Sequence, residues 1–366
     1  MMDQQNFAAA EAIAADIAVS MPETTGPSVE GLARELGLTL GAPHQLTIRR
    51  VRRGRGYSFV RPNGSLVRHA STVRRFHALA VPPAYRDVLY ASDPSLHLQA
   101  VGRDAAGRLQ YRYHADWEKV RETRKAHRLS ELVGALPRIR RNVAKYLSGN
   151  EPTRDFALAA VIELISKTAI RPGNESYARM NGTRGATTLL KSNVTLDDRS
   201  VTLTFRGKGG KDISKTCKAP RLLHALQVLR DVPGKRMFQY RDNNGVVRNV
   251  STTQVNNFLR DIAGISISLK DFRTLVASAA ALEILSRIEP AQSERGRRRQ
   301  VMDAVRAAAN ELSNTPAICR KSYVHDTIFA AFETGGLQQI AATLKTKSSL
   351  ARREVLLARV VATAAA

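Results

Sequence analysis

Acidic residues are scarce in this chain. Its 366 residues hold 32 Asp and Glu against 57 Lys and Arg, a net charge of +25. The deficit is uneven: residues 1–40 carry one arginine (Arg34) and six acids, net −5, so the remainder carries +30. Two-metal phosphodiesterases need clustered carboxylates, which so few acids rarely supply. Aromatics make up 5%, too few for the large apolar anchors of a membrane-surface helix. No apolar run approaches the ~18 residues of a membrane span. The two cysteines, Cys217 and Cys319, lie far apart and form no disulfide framework, which points to a reducing cytoplasm. The acidic, Ala-rich start reads as neither a secretory signal nor a transit peptide. No Gly-x-x-x-x-Gly-Lys-Ser/Thr loop, His-Glu-x-x-His or paired Cys-x-x-Cys occurs. The sequence therefore predicts no P-loop nucleotide chemistry, no metal and no cofactor.

What is present is a basic body with enough apolar residues (43%) to fold, long enough for two domains. Such a charge excess points to a polyanion, nucleic acid first. Residues 1–40 read as an acidic tail, with short helices on either side of a break at Met21 to Pro27. Residues 41–120 read as a small β-rich DNA-binding domain, with 14 basic and 5 acidic residues. Arg49, Arg50, Arg52, Arg53 and Arg55 crowd one strand-like run, and Asn63-Gly64 between β-prone runs signals a hairpin. A second strand pair is expected around a turn at Asp104 to Gly107. Alternation puts Tyr111 and Tyr113 on one face and Arg112 on the other. Gln110, Tyr111 and Tyr113 are candidates for contact with bases while arginines meet phosphates. An ordinary half-buried strand accounts for the same pattern.

Residues 121–366 read as mainly helical, giving an α+β chain. Helical spacing runs from Leu129 to Leu147 and from Phe156 to Ala169, stopping at Arg171-Pro172-Gly173. A strand from Ser200 to Arg206 enters the glycine-rich tip Gly207-Lys208-Gly209-Gly210-Lys211. Helices are expected at about 218–231, 252–263 and 270–288, with a turn at Asn243 to Gly245. Residues 290–300 read as a linker or a helix start, and a final basic helix spans about 337–362.

Within this basic chain Tyr323 is the candidate nucleophile. A protonated phenol, with a pKa of about 10, attacks poorly. Cations that stabilise both the phenolate and a phosphate change that. Arg320 and Lys321 precede it, Asn314 is a candidate N-cap, and Pro316 stands near the first turn. In-line phosphoryl transfer needs a clamp on the non-bridging oxygens and an acid for the leaving oxygen. Arg171 at its turn and Arg273 near a helix start suit the clamp. Lys208 on its glycine tip suits the acid, and Asn314 can add a hydrogen bond. Taken singly, each is better explained as a surface charge or a cap; their joint order in one basic chain is what informs.

Together these segments resemble the type IB DNA topoisomerases of the small poxvirus-like and bacterial class. The likeness runs from about Ile48 to Gly335. It is carried by Tyr57-Ser58-Phe59, Val81-Pro82-Pro83-Ala84-Tyr85, His97 to Asp104, Gln110 to His114, Ile170 to Glu175, Phe205 to Lys211, Lys270-Asp271-Phe272-Arg273-Thr274 and Asn314 to His325. The resemblance implies a β-rich N-terminal domain and an α-rich catalytic domain of the tyrosine recombinase and topoisomerase IB type, closing on double-stranded DNA as a monomeric clamp in the bacterial nucleoid. It implies that Tyr323 forms a 3′-phosphotyrosyl bond without ATP or metal. Arg171 and Arg273 would clamp the phosphate, and Lys208 would protonate the 5′-oxygen. Asn314 stands where many relatives have histidine, so its role would be hydrogen bonding. Gln110, Tyr111 and Tyr113 match the DNA-contacting strand. The tail 1–40, Leu275 in place of a more usual aromatic, and the C-terminal extension depart from the pattern. The alternatives are a tyrosine site-specific recombinase, whose His-x-x-Arg motif would place histidine where Lys270 stands, and a non-enzymatic basic DNA-binding protein.

Overall fold

The computed structural model describes residues 28–344 and 349–365. The helices expected before residue 28 lie outside the described residues. The protein is α+β, and its contacts divide it into a unit ending at Arg124 and one beginning at Lys125.

The first unit opens with α1 (Val29–Glu35), capped by Ser28, whose hydroxyl accepts from Gly31 N. A five-stranded antiparallel sheet follows, ordered β2-β1-β3-β4-β5. Its strands are β1 (Leu46–Arg53), β2 (Gly56–Val60), β3 (Arg86–Ala91), β4 (Leu98–Arg103) and β5 (Leu109–Tyr113), with α2 (Ala70–Ala78) between β2 and β3. Phe59, Phe76 and Tyr90 form a ring cluster with centroids 4.7–5.2 Å apart. Aromatic burial of this kind lets a small sheet hold a core despite a low aromatic content. The turn expected at Asn63-Gly64 forms, with Gly64 at φ +82°. The run after it pairs back only through Val60↔Leu66. Val67 turns into the core and the chain leaves for α2, so no second strand develops.

The second unit is mainly helical. The long helix α3 (Trp117–Tyr146) begins in the first unit and continues into the second; it starts earlier than Leu129 because its charged first turns lack apolar period but hold together through pairs such as Arg121–Glu118 (3.0 Å). The next helix, α4 (Arg154–Thr168), is buried nearly all round, as a helix apolar on every face must be. Next come α5 (Glu175–Asn181) and the antiparallel sheet of β6 (Val194–Leu196), β7 (Val201–Arg206) and β8 (Asp212–Cys217). Then follow α6 (Pro220–Arg230), the hairpin β9 (Gln239–Arg241) and β10 (Val247–Asn249), α7 (Thr252–Ala263) and α8 (Leu269–Leu285). The stretch 290–300 proves to start a helix, α9 (Glu294–Glu311), which precedes α10 (Pro316–Ser322) and α11 (Asp326–Glu333).

The single final helix expected at 337–362 is instead two, α12 (Gly336–Ala342) and α13 (Ser349–Ala365). Leu356, Leu357, Val360 and Val361 of α13 are buried in the main core, and Glu354 takes a two-pronged bond from Arg140 (2.9 and 2.5 Å). Among the described residues no helix is long and apolar enough to cross a membrane.

Candidate active site

Four segments of the second unit build the site. The first is the turn after α4. Ala169 caps that helix in a left-handed conformation (φ +51°), which a residue with a Cβ adopts at a cost of about 1 kcal/mol. Arg171 follows, and its backbone is locked. Ala186 N donates to Arg171 O and Thr187 N to Pro172 O, both at 2.8 Å, and Thr252 Oγ1 donates to Gly173 O at 3.1 Å. Gly185 lies so close that a Cβ there would meet Arg171 O and Gly173 at 2.6 Å.

The second segment is the start of α8. Asp271 Oδ2 accepts from Ser268 N (2.8 Å) and Ser268 Oγ (2.9 Å) and from Arg128 Nη2 (2.8 Å). That fixes the turn carrying Lys270 and Arg273. Arg273 is 1% exposed. Its Nη1 donates to Ala169 O and its Nη2 to Leu312 O (3.2 Å). Burial lowers its pKa, the nearby Tyr323 opposing, but a guanidinium keeps its charge.

The third is the junction of α9 and α10. Asn314 is not the cap: Thr315 is, its hydroxyl accepting from Ile318 N. The Asn314 side chain is left to meet Arg171, whose Nη2 donates to Asn314 Oδ1 at 2.5 Å. With its oxygen engaged by Arg171, the Asn314 Nδ2 remains as a donor for a further partner.

The fourth is the end of α10, which Tyr323 closes with non-helical φ −129°, ψ −28°. The two carbonyls following the ring are gripped: Ser278 Oγ donates to Tyr323 O and Lys125 Nζ to Val324 O, both at 3.1 Å. Tyr323 is 8% exposed, and Arg273 Cζ lies 5.0 Å from its ring centroid. Burial pushes the phenol pKa up, but Arg273, Arg171 and Lys270 together outweigh it, and the net shift is down. Cys319 beneath it is fully buried, its thiol pushed up to about 11, so it stays protonated and inert at neutral pH. Arg273 Nε and Asn314 Nδ2 are buried without a hydrogen-bond partner.

Tyr323, Arg171, Arg273 and Asn314 thus come together. None of these contacts involves Lys208. It is exposed at the tip between β7 and β8, where Gly209 and Gly210 take φ +76° and +75°. Lys215 on β8 escaped the sequence reading. Its Nζ donates to Glu311 O at 2.5 Å, and it is near enough to Arg273 for their charges to interact. Only strand alternation, which turns it inward with Ile213 and Cys217, could have marked it.

In the first unit Tyr111 and Tyr113 are 37% and 40% exposed, with rings stacked 6.3 Å apart. The row continues to Trp117, 6.2 Å from Tyr113. Gln110 is half-buried and donates to Asp104 Oδ2 at 3.0 Å. Of the five clustered arginines four are exposed. Arg50 instead donates to Val81 O, Pro82 O and Tyr85 O (2.7–3.1 Å) and stacks 4.3 Å over Tyr57.

Residues 114–350 match the family model of the eukaryotic DNA topoisomerase I catalytic core, and residues 56–104 that of the bacterial DNA topoisomerase IB N-terminal domain. The chain is 28% identical over 261 residues to DNA topoisomerase 1B of Acanthamoeba polyphaga mimivirus, covering 69% of this chain and 77% of that protein. Among solved structures it resembles the XerH site-specific recombinase bound to its difH substrate at 16% identity. In the post-cleavage complex the match spans 50% of this chain and 47% of that one at a TM-score of 0.31. In the pre-cleavage complex it spans 56% and 53% at 0.30. With the core model matched over more than half of its length, the chain belongs to the type IB DNA topoisomerases, a family of isomerases.

Proposed function

We propose that the protein relaxes supercoiled duplex DNA by transient cleavage of one strand, with no need for ATP or metal. Tyr323 Oη, its proton lost to water and its phenolate stabilised by Arg273 and Arg171, attacks the scissile phosphorus, forming a 3′-phosphotyrosyl bond as the bond from phosphorus to the 5′-oxygen breaks. Arg171 and Arg273 hold the non-bridging oxygens, Asn314 Nδ2 donates a further bond, and Lys208 gives its proton to the departing 5′-oxygen. The reverse attack by the resulting 5′-hydroxyl reseals the strand. The phosphodiester energy is kept in the tyrosyl ester, so religation requires no nucleotide.

The observation that carries this reading is the meeting of a buried phenol with two buried, unspent donors, Arg273 Nε and Asn314 Nδ2. Unsatisfied buried donors are costly. Phosphate oxygens supply the acceptors they lack, and the charge needed in the transition state comes from Arg and Lys of the chain itself.

We infer further that residues 41–120 form a DNA-binding domain, with Tyr111 and Tyr113 offering ring faces to bases and Gln110 an amide. The exposed arginines of β1 would track phosphates. The enzyme acts as a monomer on duplex DNA in the bacterial nucleoid.

Plasmid relaxation in EDTA without ATP tests the reaction class, and activity that returns only with magnesium overturns it. Tyr323→Phe tests the nucleophile. The expected result is near-normal duplex binding and no covalent adduct in denaturing gels. An adduct formed by that variant would assign the attack to another residue.

A further inference from the structure

The C-terminus of α9 collects three cations from three different elements. Ser313 N donates to Asn310 O (3.1 Å) and Asn314 N to Ala309 O (2.8 Å), with Ser313 left-handed at φ +51°. This is the helix ending that most chains complete with glycine. It satisfies two late carbonyls and leaves Glu311 O and Leu312 O to partners from elsewhere. Leu312 O takes Arg273 from α8, and Glu311 O takes Lys215 from β8. The Asn314 side chain, next in line, takes Arg171 from the turn after α4. The negative end of a helix dipole favours all three.

Two of these cations belong to the proposed clamp. Lys215 has no role in it. On β8, Ile213, Lys215 and Cys217 face inward while Asp212, Ser214 and Thr216 face out. An apolar side chain at 215 would serve the sheet better, since burying an ammonium costs free energy. That cost shows in its pKa, lowered by burial, with Glu311 opposing. Lys215 also shares a hairpin with Lys208, paired across the ladder to Leu203 of β7. Lys208 sits at a tip whose glycines hold no single conformation by themselves. A long amine on such a tip reaches a defined atom only if the base of its hairpin is fixed.

We propose that Lys215 is a positioning residue: its bond to Glu311 O docks the β7–β8 hairpin on the helix end that also holds Arg273 and Arg171, and so sets the reach of Lys208 to the leaving 5′-oxygen. The inference rests on the reading of Lys208 as general acid.

The test is single-turnover cleavage of a duplex carrying a mapped cleavage site, with either oxygen or sulfur bridging to the 5′ carbon. A thiolate leaves without needing a proton, so the sulfur substrate cancels a defect in proton delivery. Lys208→Ala should be slow on oxygen and restored on sulfur. Lys215→Met should be up to about 10²-fold slow on oxygen and restored on sulfur to the same degree, while Lys215→Arg keeps most of the rate. Arg273→Ala should stay slow on both. If Lys208→Ala is rescued and Lys215→Met is not, Lys215 serves Arg273 or the fold and the inference fails. A wild-type rate for Lys215→Met also overturns it. Rescue of Lys215→Met without rescue of Lys208→Ala moves the acid to Lys215 and overturns the assignment of Lys208. Failure to rescue either removes the proton-delivery reading and the inference together. Should Lys215→Met melt early, Lys215→Gln carries the same comparison.

Discussion

Each unit of the molecule holds an arginine through its η nitrogens, half-buried in the first and fully buried in the second, and the two are spent differently. In the first unit Arg75 gives Nη1 to Gln99 Oε1 and Nη2 to Ala91 O (3.0 Å) and Ser92 O (3.1 Å). Gln99, 1% exposed, spends its amide on Asp93 O, Pro94 O and Leu96 O. That network ties a helix to a loop. In the second unit Arg273 gives its η nitrogens to Ala169 O and Leu312 O but keeps Nε unspent beside a tyrosine ring. An unspent Nε alone marks nothing, because Arg128 and Arg353 have one too. The unspent donor matters at Arg273 because a second one, on Asn314, and a phenol with a lowered pKa converge with it.

Arg273→Ala should break the comparison most sharply. Cleavage should slow by about 10²–10³-fold or more, as for loss of one donor to a transition state, with duplex affinity little changed. A matching fall in affinity would make Arg273 a plain phosphate anchor. The same variant bears on pH. With Arg273 gone, burial of the phenol is less opposed, so its pKa must rise. The rising limb of the cleavage rate against pH should move to higher pH, and an unmoved limb would show that Arg273 does not tune Tyr323.

Gly185→Ala follows, at about 10²-fold. The added Cβ meets backbone atoms of the Arg171 turn at 2.6 Å, and backbone cannot step aside as a side chain can. Wild-type cleavage here would mean that the lock on Arg171 is dispensable.

Arg75→Met should do the reverse of Arg273→Ala. It leaves Gln99 Oε1 without its donor, at about 1–3 kcal/mol of stability, and spares the cleavage rate of the enzyme that remains folded. Thermal melting and single-turnover cleavage, measured together, check both halves. The smallest effect is Thr315→Ala, about 1 kcal/mol for a lost cap, read in the same melt. No loss would return the capping role to Asn314.

The sequence made most elements legible because their signals are local. Proline and glycine at 172 and 173 mark the turn just after α4, Asp104 to Gly107 makes a turn, and apolar spacing marks α7 and α8. It misled where two local signals competed. Asn314 and Thr315 both suit a cap, and the choice fell to Thr315 once Arg171 claimed Asn314. The charged start of α3 carries no apolar period, so its first turns could not be read. Arg50 looked like its four neighbours in the arginine run, and only the carbonyls of Val81, Pro82 and Tyr85 set it apart.

By itself the sequence determined the class of partner, through a charge of +25, and the order of candidate residues along the chain. Charge, periodicity and turn chemistry are properties of neighbours, and survive being read one residue after another. Tertiary structure decided which cations are spent and which are kept. Arg171 and Asn314 are far apart in the chain yet share a hydrogen bond, and Lys215 reaches Glu311 from another element. Whether a buried donor has a partner depends on carbonyls brought from distant segments, and packing alone sets that distance.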